Sequence, residues 1–300
     1  MFKKFLFLLD YFKYIENPFD ALKFKFGYVD TCNLKIKGSS KSINLVNVTS
    51  LNQLMRLIPI VSNNKIDDFL RYINDIDNDE KYLRINDISF INTFNSNFKK
   101  NKKYEYIIHL EEFFTDDEWD MVDFFGRHVI DIGGNIGDTS LFFAKKGAEV
   151  ISFEPVKHLY DLSKENLKIN TEYADKITLV NKGVGGKKGI LTIESPTVKD
   201  YTDNDQYIME IISIQDILDE YDFSPDILKM DCEGCEFEII LKNDLSIFND
   251  IIFEHHSKIT GKDYKLLIKT LENEGFKINT YPVIASKEKF EDIGIIHAFK

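Results

Sequence analysis

Val129-Ile130-Asp131-Ile132-Gly133-Gly134-Asn135-Ile136-Gly137-Asp138-Thr139-Ser140 reads as an apolar strand that breaks into a glycine turn and continues as a helix. Glycines at such a turn let the backbone bend sharply and approach a ligand where a Cβ would intrude. The same grammar continues downstream. A helix runs to Lys146 and is stopped by Gly147; a strand at 149–153, a helix at 156–170 and a strand at 177–180 follow. Further strands are expected at 227–230 and 251–253, then a helix over 263–274 stopped by Gly275, then closing strands at 276–281 and 295–299. Upstream, Thr115-Asp116-Asp117-Glu118 reads as a capping box opening a helix that carries Trp119 and Val122 and stops at Gly126. Apolar strand runs alternating with amphipathic helices predict an α/β fold, with a mostly parallel sheet covered on both faces. In such a sheet the ligand sits at the carboxyl ends of the strands, where the strand order reverses.

The spacing of the turn argues about its ligand. A dinucleotide fingerprint needs glycine at positions one, three and six, and these are Gly133, Asn135 and Asp138, so two of the three fail. Asp131 and Asp138 would also repel a pyrophosphate at the helix start. A ligand with positive charge suits the turn better, and S-adenosylmethionine, a sulfonium and an ammonium beside an adenosine, is such a molecule. The next strand ends Ile151-Ser152-Phe153-Glu154-Pro155, which puts Glu154 at its tip, 23 residues after Asp131. A carboxylate there can accept hydrogen bonds from two ribose hydroxyls. The plain alternative for Glu154 is a helix-start carboxylate.

The 300 residues carry 38 Lys and Arg against 50 Asp and Glu, for a net charge of −12. That balance excludes a binder of duplex nucleic acid, which needs clustered cations. With 43% hydrophobic and 13% aromatic residues the chain is globular. Three cysteines, Cys32, Cys232 and Cys235, are too few for a disulfide framework and point to a reducing, cytoplasmic setting. The first fifteen residues lack the apolar length of a signal peptide or a membrane span. Phe2, Phe5, Leu6, Leu9 and Phe12 recur at helical spacing, which fits a helix docked on the protein better than one lying on a membrane surface.

Residues 1–103 read as a smaller α+β region and 104–300 as the ligand-binding domain. Asn17-Pro18 opens a helix over 19–26 that stops at Gly27; strands are expected at 28–36 and 42–48, and helices at 51–57 and 66–76. The polar run 95–103, with four lysines in its last five positions, marks the boundary. No repeat or low-complexity segment occurs.

The strings 129–140, Phe153-Glu154-Pro155 and Asp226-Ile227-Leu228-Lys229-Met230-Asp231-Cys232-Glu233-Gly234-Cys235-Glu236 together resemble the FkbM family of S-adenosylmethionine-dependent methyltransferases. The resemblance runs in order over about 115–299. It implies a Rossmann-like class I methyltransferase with a seven-stranded sheet whose final strand is antiparallel, and O-methylation of a hydroxyl on a saccharide, glycan or similar small acceptor. It further implies that Asp131, Gly133, Asn135 and Gly137 line the methionine portion, with Gly134 in the same cofactor loop. Glu154 then holds the ribose, and the segment 181–184, including Gly183 and Val184, forms the adenine edge. Cys232 and Cys235 depart from the small aliphatic residues usual at their positions, and residues 1–100 resemble upstream regions of the family only loosely.

Methyl transfer is an in-line displacement, so the protein mainly aligns the reacting atoms. A hydroxyl attacks better once a base takes its proton. Asp231, Glu233 and His256, with His255 as its alternate, are the candidates, and the plain reading of Glu254 and the two histidines is that they satisfy backbone groups at a strand end. Lys229 reads as the partner of a carboxylate. The Cys232/Cys235 spacing invites a metal, but no second pair exists, so the two are expected to pack as small apolar side chains. Asp231 and Glu233 offer oxygen ligands for magnesium with no third ligand in view, so no metal is assigned. The acidic stretch 195–207 reads as a surface excursion or an acceptor lid. Two rival functions remain: a nicotinamide-dependent oxidoreductase, and a catalytically silent module that binds S-adenosylmethionine.

Overall fold

The computed structural model describes residues 9–37, 39, 41–62, 65–93, 119–193, 207–283 and 288–300. The chain divides into two compact units, Met1–Asp116 and Asp117–Lys300. The expected boundary at 95–103, the apolar positions 2, 5 and 6, and the stretch 195–206 lie outside the described residues.

In the first unit, helix α1 (Pro18–Lys25) starts on proline as expected, but Asn17 does not cap it. The Asn17 side chain instead donates to the Asn33 carbonyl at 2.8 Å and accepts from the Lys35 N–H at 2.9 Å, tying the helix to strand β1 (Cys32–Lys35). Strand β2 (Ser42–Leu45) pairs antiparallel with β1, and alternation turns Cys32, Leu34, Ile43 and Leu45 inward. Helix α2 (Val48–Leu57) is capped by Asn47, whose side chain accepts from the Thr49 N–H. Helix α3 (Ile66–Asp77) buries Phe69, Leu70, Ile73 and Ile76 at helical spacing. A hairpin of β3 (Tyr82–Ile85) and β4 (Ile88–Ile91) follows, which the sequence reading did not anticipate. Its turn residues Asn86 and Asp87 both have positive φ, the geometry of a type I′ turn built here without glycine. Residues 9–14 are helical, with Tyr11 buried and Phe12 partly exposed.

The second unit is built on a seven-stranded sheet. Its strands are β5 (His128–Ile132), β6 (Glu149–Phe153), β7 (Ile177–Val180), β11 (Ile227–Met230), β12 (Asp250–His255), β13 (Lys277–Pro282) and β14 (Gly294–Phe299). They lie in the order β13-β14-β12-β11-β5-β6-β7. All neighbours pair parallel except the two pairs made by β14, so the final strand alone runs antiparallel, as expected. Strand β11 is buried at every position, which is what helices and loops on both faces require. On one face, Ile130, Ile132, Phe153, Leu228, Met230, Ile251 and Phe253 pack with Ile214, Ile217, Phe237, Ile240, Leu267 and Leu271. The helices are α4 (Asp138–Lys145), α5 (Lys157–Ile169), α6 (Thr171–Ala174), α7 (Ile214–Glu220), α8 (Glu236–Lys242), α9 (Ser257–Thr260) and α10 (Lys265–Asn273).

Three features depart from the sequence reading. The capping box expected at 115–118 lies outside the described residues, and 119–126 are turn and irregular structure rather than a helix, with Trp119 and Phe124 buried on non-helical backbone. A separate three-stranded sheet, β8 (Gly183–Val184), β9 (Gly189–Ile193) and β10 (Tyr207–Ile212), occupies chain where the sequence pattern predicts no strand. Cys232 and Cys235 form a disulfide rather than packing as separate small side chains, while Cys32 is free and buried. Among the described residues no helix is long and apolar enough to cross a membrane.

Candidate functional site

Strand β5 has β6 on one side and β11 on the other, so the strand order reverses at its carboxyl end, and the glycine turn sits there. The Gly133 and Gly134 N–H groups both donate to the Phe153 carbonyl at 3.0 Å. Gly133 has φ +79°, and a Cβ on it would lie 1.8 Å from the Asp231 carbonyl oxygen, so only glycine lets the turn close against the end of β11. Gly137, φ +81°, occupies the N-cap position of α4.

Beneath the turn lies a buried ionic group. Lys229 and Asp131 are register partners on β11 and β5, both fully buried, with Nζ 3.0 Å from Asp131 Oδ1. The Asp131 carboxylate also accepts from Thr139 Oγ1 at 2.9 Å and Ser140 Oγ at 2.5 Å. Lys229 donates to the Gly133 carbonyl at 3.2 Å and lies 5.1 Å from the centre of the Trp119 ring. Burial would lower the Lys229 pKa, but the charges of Asp131, Asp231 and Asp138 hold it above the usual lysine value. Lys229 therefore pairs with a carboxylate, as expected. Asp131 is paired with Lys229 inside the protein and orients the turn from below. Burial pushes Asp138 up to about 6.

At the tip of β6, Glu154 accepts from the Asn135 N–H at 2.9 Å and the Val156 N–H at 2.7 Å, so one carboxylate spans the two loops expected to hold the ligand. Burial pushes Glu154 up to about 8 against these two donors. Asn181 extends the arrangement by donating to the carbonyls of Glu154 at 2.8 Å and Pro155 at 3.1 Å. Gly183 and Val184 are buried, and β8 pairs with β10 through Gly183 and Ile211. The glycine turn, Glu154 and Asn181 thus line consecutive strand ends, the polar frame a nucleoside with a positively charged tail needs. S-adenosylmethionine fits this donor set: Glu154 offers acceptor lone pairs for ribose, and Gly133 and Gly134 let the turn close tightly against Asp231 and Ser152.

A second group stands at the ends of β11 and β12. The register pairs Met230 with Phe253, so the next residues, Asp231 and Glu254, leave the sheet side by side. His256 Nε2 lies 3.1 Å from Glu254 Oε1, 3.4 Å from Glu233 Oε2 and 3.9 Å from Asp231 Oδ1. Glu236, fully buried, accepts from the His256 N–H at 2.7 Å and the Gly234 N–H at 2.9 Å. Burial would lower the His256 pKa, but Glu236, Glu254, Asp231 and Glu233 raise it to about 11. With no cation bound it is an imidazolium, which has no lone pair with which to take a proton. His255 is separate: it stacks on Tyr264 at 4.8 Å between ring centres, contacts Ser257 Oγ through Nδ1 at 3.1 Å, and is lowered to about 4 by burial. The bend after β11 carries Glu233 at φ +55° and Gly234 at φ +114°, and the Cys232–Cys235 disulfide closes it.

The sequence reading treated Glu254 as a backbone partner and gave Glu236 and Asn181 no individual role. The only signal for Glu254 was its place at the end of an apolar strand, and its partner depended on register. Glu236 lay within the quoted motif, but burial and two backbone donors could not be read from it.

Residues 131–278 match the methyltransferase FkbM domain family. No curated protein matches the sequence. Among solved structures, the chain is similar to a methyltransferase FkbM from Methylobacillus flagellatus, at 15% identity and a TM-score of 0.45, with 83% of this chain and 60% of that one covered. It thus spans less than two thirds of that protein's length. It is similar to a precorrin-6y C5,15-methyltransferase from Geobacter metallireducens, at 14% identity, TM-score 0.35, covering 61% and 85% of the two chains. It is also similar to magnesium protoporphyrin IX methyltransferase from Synechocystis, solved with bound S-adenosylmethionine, at 15% identity, TM-score 0.35, covering 59% and 72%. Residues 131–278, which span the glycine turn, Glu154 and the acidic bend, thus form a methyltransferase FkbM domain.

Proposed function

We propose that this protein methylates a hydroxyl group of a saccharide, glycan or similar small polyhydroxylated acceptor. The observation that carries the reading is the adjacency of two polar groups: the glycine turn and the acidic bend touch through Gly133 and the Asp231 carbonyl, so a methyl donor in the first lies beside carboxylates in the second. Carboxylates only accept hydrogen bonds when ionised, and a polyhydroxylated acceptor supplies several donors.

S-adenosylmethionine supplies an activated methyl on a cationic sulfur. The chain's own residues do the rest. Gly133 and Gly134 close the turn against β11 and β6 beside the methionine portion, Asn135, Gly137 and Asp131 shape the turn, Glu154 grips the ribose, and Asn181, Gly183 and Val184 bound the adenine. Once bound, the cofactor would supply that methyl to an acceptor oxygen held in line with it, and the hydroxyl proton would pass to a carboxylate. Asp231 takes that role with Glu233 beside it. In the metal-free protein His256 faces these carboxylates as their counter-ion, which makes it a positioning residue rather than the base.

The test is mass spectrometry of products from a panel of mono- and oligosaccharides, polyols, amines and carboxylic acids incubated with methyl-labelled S-adenosylmethionine. A methyl ether on a saccharide or polyol is expected; label found only on nitrogen or as a methyl ester overturns the reading. In parallel, calorimetry on Glu154→Ala is expected to show at least a tenfold loss of S-adenosylmethionine affinity, about 1.4 kcal/mol.

A further inference from the structure

The polar group at the ends of β11 and β12 has the composition and spacing of a metal site. Asp231, Glu254 and His256 each turn one ligand atom inward, and these atoms all lie within 4.8 Å of one another. Bonds of about 2.1 Å from metal to nitrogen or oxygen place neighbouring ligands about 3 Å apart and opposite ones about 4.2 Å apart. The separations from His256 Nε2 to Glu254 and Asp231, 3.1 and 3.9 Å, fall within that span, and Glu233 Oε2, at 3.4 Å, is placed to join as a fourth ligand.

Charge counting points the same way. An imidazole Nε2 carries one hydrogen and satisfies one acceptor, yet three carboxylates face it. The opposite ring atom is a second and separate observation. His256 is almost wholly buried, and its Nδ1 has no hydrogen-bond partner, while Glu236 Oε1 waits 3.6 Å away. A metal-ligating histidine commonly turns its other ring nitrogen to a carboxylate that fixes its tautomer and orientation. Glu236, fully buried and anchored by the N–H groups of Gly234 and His256, is built for that second role.

We propose that Asp231, Glu254 and His256 Nε2 bind a small divalent cation that takes mixed oxygen and nitrogen ligands, with Glu233 as an optional ligand and Glu236 orienting the imidazole. Glu233 is largely exposed and Asp231 partly so, which leaves the outer side of the cation open to an acceptor hydroxyl. The cation lowers the proton affinity of an oxygen bound to it, so the site prepares the acceptor for attack. This role rests on the hydroxyl-methylation reading above; the binding itself does not.

The experiment uses the full chain, stripped with EDTA and titrated with Mn2+ alone. Equilibrium dialysis is expected to find one Mn2+ per chain, and electron spin-echo spectra of the bound ion are expected to show an imidazole nitrogen. Glu254→Gln and Asp231→Asn should each weaken binding at least tenfold, and Glu236→Gln by about 10–100-fold without loss of the nitrogen signal. Circular dichroism melts identify any variant that fails to fold, and Asp231, more exposed than Glu254, gives the safer variant. No Mn2+ bound up to millimolar concentration, or bound Mn2+ without the nitrogen signal, overturns the site. Hydroxyl methylation at an unchanged rate in EDTA overturns the metal's role while leaving the function intact. Methylation of nitrogen alone, with Mn2+ bound as described, overturns the function while leaving the site.

Discussion

Glu154 is the residue whose environment has the clearest consequence in solution. Its carboxyl is raised by burial from 4.5 to about 8, so between those values the folded chain holds a proton the unfolded chain has lost. That proton stabilises the fold fully below about pH 4.5, and its contribution is lost as pH rises through about 8. Glu154→Gln should therefore flatten the fall in ligand-free stability between pH 5 and 9, read by urea unfolding; parallel curves for the two proteins would refute the raised value. Ribose hydroxyls need the ionised form, so affinity for S-adenosylmethionine should rise with pH over the same interval. Lys229 makes a second residue-level case. Removing one partner of a buried ion pair strands the other charge, which costs about 3–5 kcal/mol. Lys229→Met should lower stability by that amount, and Asp131→Asn added to it should restore part; an unchanged urea midpoint for Lys229→Met would show that the pair carries no stability.

Among elements, the bend between β11 and α8 concentrates the most departures from ordinary backbone. It holds two consecutive residues of positive φ, the disulfide, and the carboxylates that face His256. Cross-linking residues 232 and 235 restricts the loop that presents Asp231 and Glu233, so those carboxylates are held near the glycine turn without help from a longer helix. Under denaturing, non-reducing conditions, thiol titration should count one thiol per chain, that of Cys32, and three after reduction. Three thiols before reduction would remove the cross-link. The β5–α4 turn is shaped from three directions: the Phe153 carbonyl from β6, Lys229 from β11 and Glu154 from above the sheet edge. A turn so held is preorganised, which spares the ligand the entropy of ordering it.

For the whole molecule, every residue assigned here to the cofactor, the acceptor and the cation lies in the unit Asp117–Lys300. A protein of residues 117–300 should bind S-adenosylmethionine within about threefold of the full chain, measured by calorimetry; loss of binding in a folded fragment would assign the first unit a part in the site. The glycine turn, the strand–helix alternation and the place of Glu154 were legible in the sequence because each depends on neighbours within a few residues: φ > 0 at Gly133, apolar period, and a carboxylate closing a strand. Lys229 as the partner of a carboxylate was also legible, since a lysine inside an apolar strand must be paired. Which carboxylate it meets was not, because β5 and β11 are brought into register only by the sheet, nearly a hundred residues apart in the chain. The same holds for the histidines. Adjacent in sequence and alike in type, His255 and His256 point to opposite surroundings, one among aromatic rings and one among four carboxylates, because successive residues leaving a strand face opposite sides. Short-range steric and hydrophobic preferences set the fold and the cofactor turn. The charges gathered around His256, and the cation they imply, come from strands aligned across the sheet, where proximity is fixed by register rather than by spacing along the chain.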